Sequence, residues 1–480
     1  MGRVVPTTTP PVAPPGAVEQ TADNVEQEVV SMREMIWFGI PVSALFASNF
    51  ALGAVDTIAT SRFGGLRDLA ALAPGNAAME YTCYVLSAIA TVTLNQLAPT
   101  RPGSAEWHRR LSVAGVFTLL AALVQAAVTF LCADTLAHLV GCPPAVADRA
   151  ASYLRLRAPG VVPFHLAAAC SSSFFAAKDS VTPFLGTLIA VAVNVVGDLA
   201  LCPRYGLVGA AAATSFSQGC LLLFLFLRMK ARGLLPPGRV HRNVRWSDVR
   251  ALGRLVAPVS LLTAMRTSLY AVLSFWCCQL GIVSAAAQQI AATVFWGSTA
   301  AAAEPMSAAA QTYVPIRYEA WRATQAQVRA AAGTEAESEA SLALADARSA
   351  LGTTVRRLVR TAALFGGGVL ALVHGLMQPW ALGLITTSAA TVAQVPRLPL
   401  LTIAAVAPFA LLCEGVLLGF SARAALVRNL GACVAVSLGG ACALVHSGRH
   451  SVGMLWWFVA VFQSLRMVSN ALVLRNKMQA

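Results

Sequence analysis

Apolar runs of about 20 residues recur along the chain, separated by shorter stretches that hold most of its arginines. A run of that length crosses the hydrocarbon layer of a membrane as an α-helix. The pattern predicts twelve such spans, at 36–60, 69–97, 111–133, 152–177, 182–202, 206–228, 252–279, 283–313, 354–376, 395–420, 424–446 and 452–474. Helices are required, because lipid satisfies no open backbone group. The short alternating strands of a membrane barrel do not occur in the pattern. The fold class expected is an all-α polytopic membrane protein.

Composition agrees. Hydrophobic residues make up 57% and charged residues 12%, against roughly 45–50% and about 25% in soluble domains. The formal net charge of +14 lies mostly between the spans. In a membrane protein such a balance points to cytoplasmic loops facing anionic lipid rather than to nucleic acid. The loop after span six holds Arg228, Lys230, Arg232, Arg239, Arg242, Arg245 and Arg250, whereas the loop after span five holds Arg204 alone. This asymmetry places both termini in the cytoplasm. Residues 1–35 are Thr/Pro-rich and then acidic, without the basic start and apolar core of a cleaved signal. They read as a disordered cytoplasmic tail. The eleven cysteines are scattered among apolar runs and read as small buried hydrophobes.

The halves repeat. Pro41-Val42-Ser43 opens span one and Pro258-Val259-Ser260 opens span seven; Gly64 and Gly281 follow at the same distance, and Pro99 matches Pro315. Both halves start on the same side, so the repeat is parallel. The expected organisation is two pseudo-symmetric six-helix lobes, 36–228 and 251–480, joined by a basic cytoplasmic linker, 229–250, with a partly helical cytoplasmic insertion at about 316–352. Repeats of this kind place a substrate site between the lobes.

Ionisable groups inside spans are costly and mark candidate sites. Asp56 lies in span one; Asn194 and Asp198, in span five, are four apart and share a helix face. Two carboxylates and an amide oxygen can hold a proton or a hard cation such as sodium; a polar helix-packing cluster is the other reading. Glu80, Arg266, Glu304 and Glu414 are candidate cavity residues, with Arg466 in span twelve. An interior arginine can neutralise a carboxylate or attract an anionic solute. His165 reads as a core histidine, and Trp456 with Trp457 as an interfacial belt. No phosphate loop or catalytic arrangement is found, so neither an enzyme nor a resident cofactor is expected.

These residues carry a resemblance. Ile40-Pro41, Ala54-Val55-Asp56-Thr57, Gly64-Gly65, Lys178-Asp179-Ser180-Val181-Thr182-Pro183, Asn194-Val195-Val196-Gly197-Asp198 and Gly206-Leu207-Val208-Gly209 followed by Ala210-Ala211-Ala212-Ala213-Thr214 resemble the multidrug and toxic compound extrusion (MATE) transporters, and among them the DinF-like branch. In the second half, Ala308-Ala309-Ala310-Gln311-Thr312 and Glu414-Gly415-Val416-Leu417-Leu418-Gly419 look like the matching patterns. The resemblance covers nearly all of 36–475 and implies twelve helices in two lobes, a monomer, and exchange of protons or sodium for small organic solutes by alternating access. It also implies a cation site at Asp56, Asn194, Asp198 and Thr214, with sodium, if used, at the first three. The chain departs from the pattern at Phe174-Phe175-Ala176-Ala177, and Ser421-Ala422-Arg423 stands where relatives carry an acidic pattern. Two alternatives of the same fold stay open: an organic-anion (carboxylate) exporter and a lipid-linked-sugar flippase, the latter calling for a strongly cationic cavity.

Overall fold

Ser31 sets the start of the first helix. Its hydroxyl accepts from Glu34 N at 3.2 Å, and the Glu34 carboxylate accepts from Ser31 N at 2.7 Å, a reciprocal cap that satisfies two otherwise orphaned donors. The helix therefore begins at Met32, inside the segment read from sequence as tail. The computed structural model describes residues 30–139, 142, 144–237, 244–385, 389–448 and 450–479. The tail to residue 29 and part of the linker, 238–243, lie outside the described residues.

All long elements are helical: α1 Met32–Leu86, α2 Ala88–Leu97, α3 Ala105–Leu131, α4 Ala133–Leu139, α5 Pro144–Ala176, α6 Val181–Tyr205, α7 Leu207–Ala231, α8 Trp246–Gln279, α9 Ile282–Ser298, α10 Glu304–Ala331, α11 Glu337–Leu376, α12 Pro379–Ile385, α13 Ala389–Gln394, α14 Arg397–Gly419, α15 Arg423–His446 and α16 Val452–Gln479. A π-turn, Thr299–Ala303, joins α9 to α10. Among the described residues, eight helices are long and apolar enough to cross a membrane: α3, α6, α7, α8, α11, α14, α15 and α16.

Spans one and two were expected as separate helices, yet α1 runs through the junction between them. A straight helix of 55 residues would extend roughly 80 Å. Instead, Phe38 packs on Tyr313 with ring centroids 5.6 Å apart, and Asn95 donates to Gln311, in the same helix α10, at 3.1 Å. The chain therefore doubles back between residues 38 and 95. Asp68, near the midpoint, marks the far end: it accepts from Leu207 N at 2.9 Å and pairs with Arg149. At the other end of α7, Arg232 pairs with Asp179, and the neighbouring Lys178 ammonium lies 5.8 Å from the Tyr313 ring.

The insertion is more helical than expected. Within 316–352, α10 continues to Ala331 and α11 starts at Glu337, so a turn of a few residues joins two long helices. Arg348 ties this hairpin to the end of α16 by donating to Met478 O at 2.7 Å. The aromatic belt is corrected at one position. Trp456 is buried, and its indole N–H donates to Gln288 Oε1 at 2.7 Å, which removes the need for an interfacial partner; Trp457 is exposed. His165 is a core residue as expected, bonded to Gln125 Oε1 at 2.7 Å.

Two glycines bring α6 and α7 into close contact around the acidic residues. A Cβ on Gly197 would meet the Ala213 side chain at 2.8 Å, and one on Gly209 would meet the Leu201 carbonyl at 2.7 Å. Backbone cannot give way as a side-chain tip can. Gly209→Ala is expected to lose about 1–3 kcal/mol of stability, read as a lower unfolding temperature in detergent; a variant as stable as the parent would contradict this packing.

Candidate functional site

Helix α6 is apolar toward its surroundings and polar within. Ile189, Val196 and Leu199 are exposed, whereas Thr187, Asn194, Asp198 and Cys202 are buried, the last three at intervals of four along one face. A tight turn at Gly206 (φ 54°) sends α7 straight back along α6, which sets Thr214 beside that polar stripe. Asp56 arrives from α1 on the opposite side.

The four residues come together. Asn194 Nδ2 donates to Asp56 Oδ1 at 2.8 Å and to Asp198 Oδ2 at 3.0 Å. Thr214 Oγ1 lies 3.2 Å from Asp56 Oδ2 and 2.9 Å from Ala210 O. Cys202 Sγ is 3.8 Å from Asp198 Oδ1. Asp56 is 6% exposed, Asp198 1% and Asn194 fully buried. One primary amide thus bridges two carboxylates away from water. Its own Oδ1 is buried with no hydrogen-bond partner among the described residues. Carboxylate oxygens of Asp56 and Asp198 and the Thr214 hydroxyl converge around the Asn194 amide, a group suited to a proton or a small hard cation. Arg157 of α5 lies within electrostatic reach of Asp56. The sequence reading missed it, although an arginine inside the span expected at 152–177 was the available signal.

The second cluster lies among α8, α10, α14 and α16. Arg466, 1% exposed, donates from Nε to Glu414 Oε2 at 2.8 Å and also through Nη2. Its Nη1 donates to Gln463 Oε1 at 3.3 Å, and Gln463 Nε2 donates to the Tyr270 hydroxyl at 3.1 Å. Arg266 Nη1 is 3.9 Å from Glu414 Oε1. Glu304, the first residue after the π-turn, lies within electrostatic reach of both arginines. Two arginines therefore face two glutamates. Of the expected cavity residues, Arg266, Glu304 and Glu414 are brought together; the side chain of Glu80 lies outside those described. Tyr270 and Gln463 were not anticipated, and neither was the π-turn. Tyr270 packs edge-on against Trp296, which stacks on Tyr84 of α1 at 6.2 Å, so aromatic side chains border this cluster on the side of the first half.

The same arrangement of helices occurs in solved structures. The chain matches a MOP superfamily transporter from Pyrococcus furiosus Vc1, described as having a binding pocket of reverse polarity that suggests a different function, with a TM-score of 0.76 at 15% identity over 94% of this chain and 96% of that one. The fold is that of the MOP-superfamily transporters. The eukaryotic MATE transporter AtDTX14 matches it with a TM-score of 0.76 at 14% identity, over 92% of this chain and 95% of that one. The bent form of the Vibrio cholerae MATE transporter VcmN matches it with a TM-score of 0.71 at 16% identity, over 93% and 97%. By sequence, the family model described as lipid II flippase MurJ matches residues 84–288. That match takes in Asn194, Asp198, Thr214 and Arg266 but not Asp56, Glu304 or Glu414, and it covers less than half of the chain. None of these matches distinguishes the DinF-like branch.

Proposed function

We propose that this MOP-fold chain is a secondary antiporter of the DinF-like MATE type, with twelve spans in two lobes and cytoplasmic termini. It exports small organic solutes in exchange for protons or sodium. One observation carries this reading: Asp56 and Asp198, from different helices, share a single bridging amide whose oxygen has no partner among the described residues in a buried site. A packing cluster is adequately served by one carboxylate. A second one beside it repels the first, an excess of negative charge that Arg157 offsets only in part and that an incoming cation relieves.

Sodium fits the donor set. Asp56 and Asp198 would hold it, with Thr214 alongside and Asn194 Oδ1 joining them once the amide turns over from the orientation in which Nδ2 bridges the carboxylates. Its charge would offset the two carboxylates, and a proton on either carboxyl group would relieve the same repulsion. Loading then changes how firmly α1 is held against α6 and α7. Exchange requires that two conformations of the chain differ in cation affinity, and a site built from separate helices supplies that difference when α1 moves. The solute would lie between the lobes, against the aromatic border formed by Tyr84, Trp296 and Tyr270.

A second reading, a lipid-linked-sugar flippase, is favoured by the MurJ family match over 84–288. Against it stands the balance of Arg266 and Arg466 by Glu304 and Glu414, which leaves the second cluster without the excess positive charge that a pyrophosphate-linked lipid requires. The same balance weighs against a carboxylate exporter. Efflux of ethidium from proteoliposomes, with an imposed pH gradient and then a sodium gradient, tests the proposal. Flux that follows one gradient supports it and names the ion. No gradient-dependent flux, together with transbilayer movement of a fluorescent lipid-linked pyrophosphate sugar, would overturn it in favour of the flippase.

A further inference from the structure

Two helices of this chain follow turns of the same form. At the end of α5, Lys178 N donates to Phe175 O and Asp179 N to Phe174 O, with Lys178 at φ 62°. At the end of α14, Ser421 N donates to Leu418 O and Ala422 N to Leu417 O, with Ser421 at φ 55°. Both are helix stops with one residue in the left-handed region. After each turn a new membrane helix starts, α6 in the first half and α15 in the second.

The two starts differ in one respect. Before α6, the Asp179 carboxylate accepts from Thr182 N at 3.0 Å and Thr182 Oγ1 at 2.6 Å, and pairs with Arg232. Before α15, the matching position is Ala422, which offers no side-chain acceptor. The first intrahelical bond of α15 is Leu426 N to Ala422 O, so the N–H groups of Arg423, Ala424 and Ala425 have no acceptor within the helix. Arg423 itself, first in α15, is only 9% exposed, and its Nε and Nη2 are buried with no hydrogen-bond partner among the described residues. Among the described residues no carboxylate lies within electrostatic reach of it. Long side chains on a helix lean back toward its N-terminus. The orphaned guanidinium donors and the free backbone N–H groups are thus gathered at one end of one helix. A buried cation without a partner is strongly unfavourable, and this one lacks the anion that Asp179 supplies in the first half.

We propose that the N-terminus of α15 and Arg423 bind a phosphate group, in the place that the Asp179 carboxylate occupies at α6. A phosphate accepts on several oxygens at once, which matches a guanidinium fork and a helix N-terminus together. Outward-facing side chains such as Val436 put α15 against lipid, so the group comes either from an anionic lipid headgroup or from free phosphate.

The test uses the full chain in nanodiscs of a neutral, phosphate-free glycolipid. Its unfolding temperature is measured with inorganic phosphate, at constant sodium and ionic strength, and separately with phosphatidylglycerol added to the disc. The wild type is stabilised in at least one arm: a response to lipid alone assigns the site to a headgroup, and a response to inorganic phosphate assigns it to the free anion. Arg423→Gln weakens the response roughly tenfold or more in half-saturating concentration. Ala422→Asp, which restores an internal carboxylate, raises the unfolding temperature without ligand and abolishes the response. No response in either arm, or an equal response in wild type and both variants, would overturn the proposal.

Discussion

Asp198→Asn is expected to lower cation-coupled efflux by roughly 100-fold while leaving insertion and helical content unchanged. The side chain keeps its shape, and its carbonyl oxygen still accepts from Asn194 Nδ2, now 3.0 Å from Asp198 Oδ2. What disappears is one of two negative charges in a site with little access to water. With a single carboxylate left, Asp56 is bridged by Asn194 and Thr214 and no longer needs a cation to relieve repulsion. The folded protein is therefore at least as stable as the parent, while exchange falls. Efflux of ethidium from proteoliposomes, read beside circular dichroism of the same preparation, separates the two effects. Full exchange by a well-folded Asp198→Asn protein contradicts the assignment.

The second large effect falls on stability. Arg466→Met strands Glu414 between α14 and α16, with Arg266 at 3.9 Å as its remaining ion-pair partner. Breaking a buried pair by removing one partner costs about 3–5 kcal/mol. Solvent screens this pair little, because Arg466 is 1% exposed and Glu414 13%. The double variant Arg466→Met with Glu414→Gln removes the stranded charge and recovers most of the loss. Unfolding of the purified protein in mixed micelles at rising denaturing-detergent fraction provides the readout. A single variant as stable as the wild type would show that the pair does not hold the second half together.

The first site was legible because its elements are local or chemically conspicuous. Asn194 and Asp198 fall on one face by helical period alone, and an aspartate at position 56 stands out in an apolar run. The tight turn at Gly206 then brings Thr214 back beside them. What the sequence concealed depends on partners far along the chain. Trp456 is buried because Gln288, 168 residues away, accepts its N–H; nothing near Trp456 announces that. The π-turn before Glu304 sits in a run of alanines without a local marker. Asp68 lies at the edge of a predicted span and reads as a loop residue, yet it is buried against Arg149 and the start of α7. The sequence of the insertion, with acidic residues among alanines, shows only part of its helical content; alanine's high helix propensity, with Glu337 and Glu339 in the first turn of α11, explains why it is helical almost throughout.

Reciprocity gives the most direct test of exchange. Proteoliposomes containing the protein are loaded with ethidium, a pH indicator and a sodium indicator, then diluted into medium of identical pH and sodium. The account predicts that ethidium leaving down its own gradient draws protons or sodium inward, and that this inward movement is lost in Asp198→Asn. Ethidium leaving through the wild-type protein with neither ion moving would contradict it.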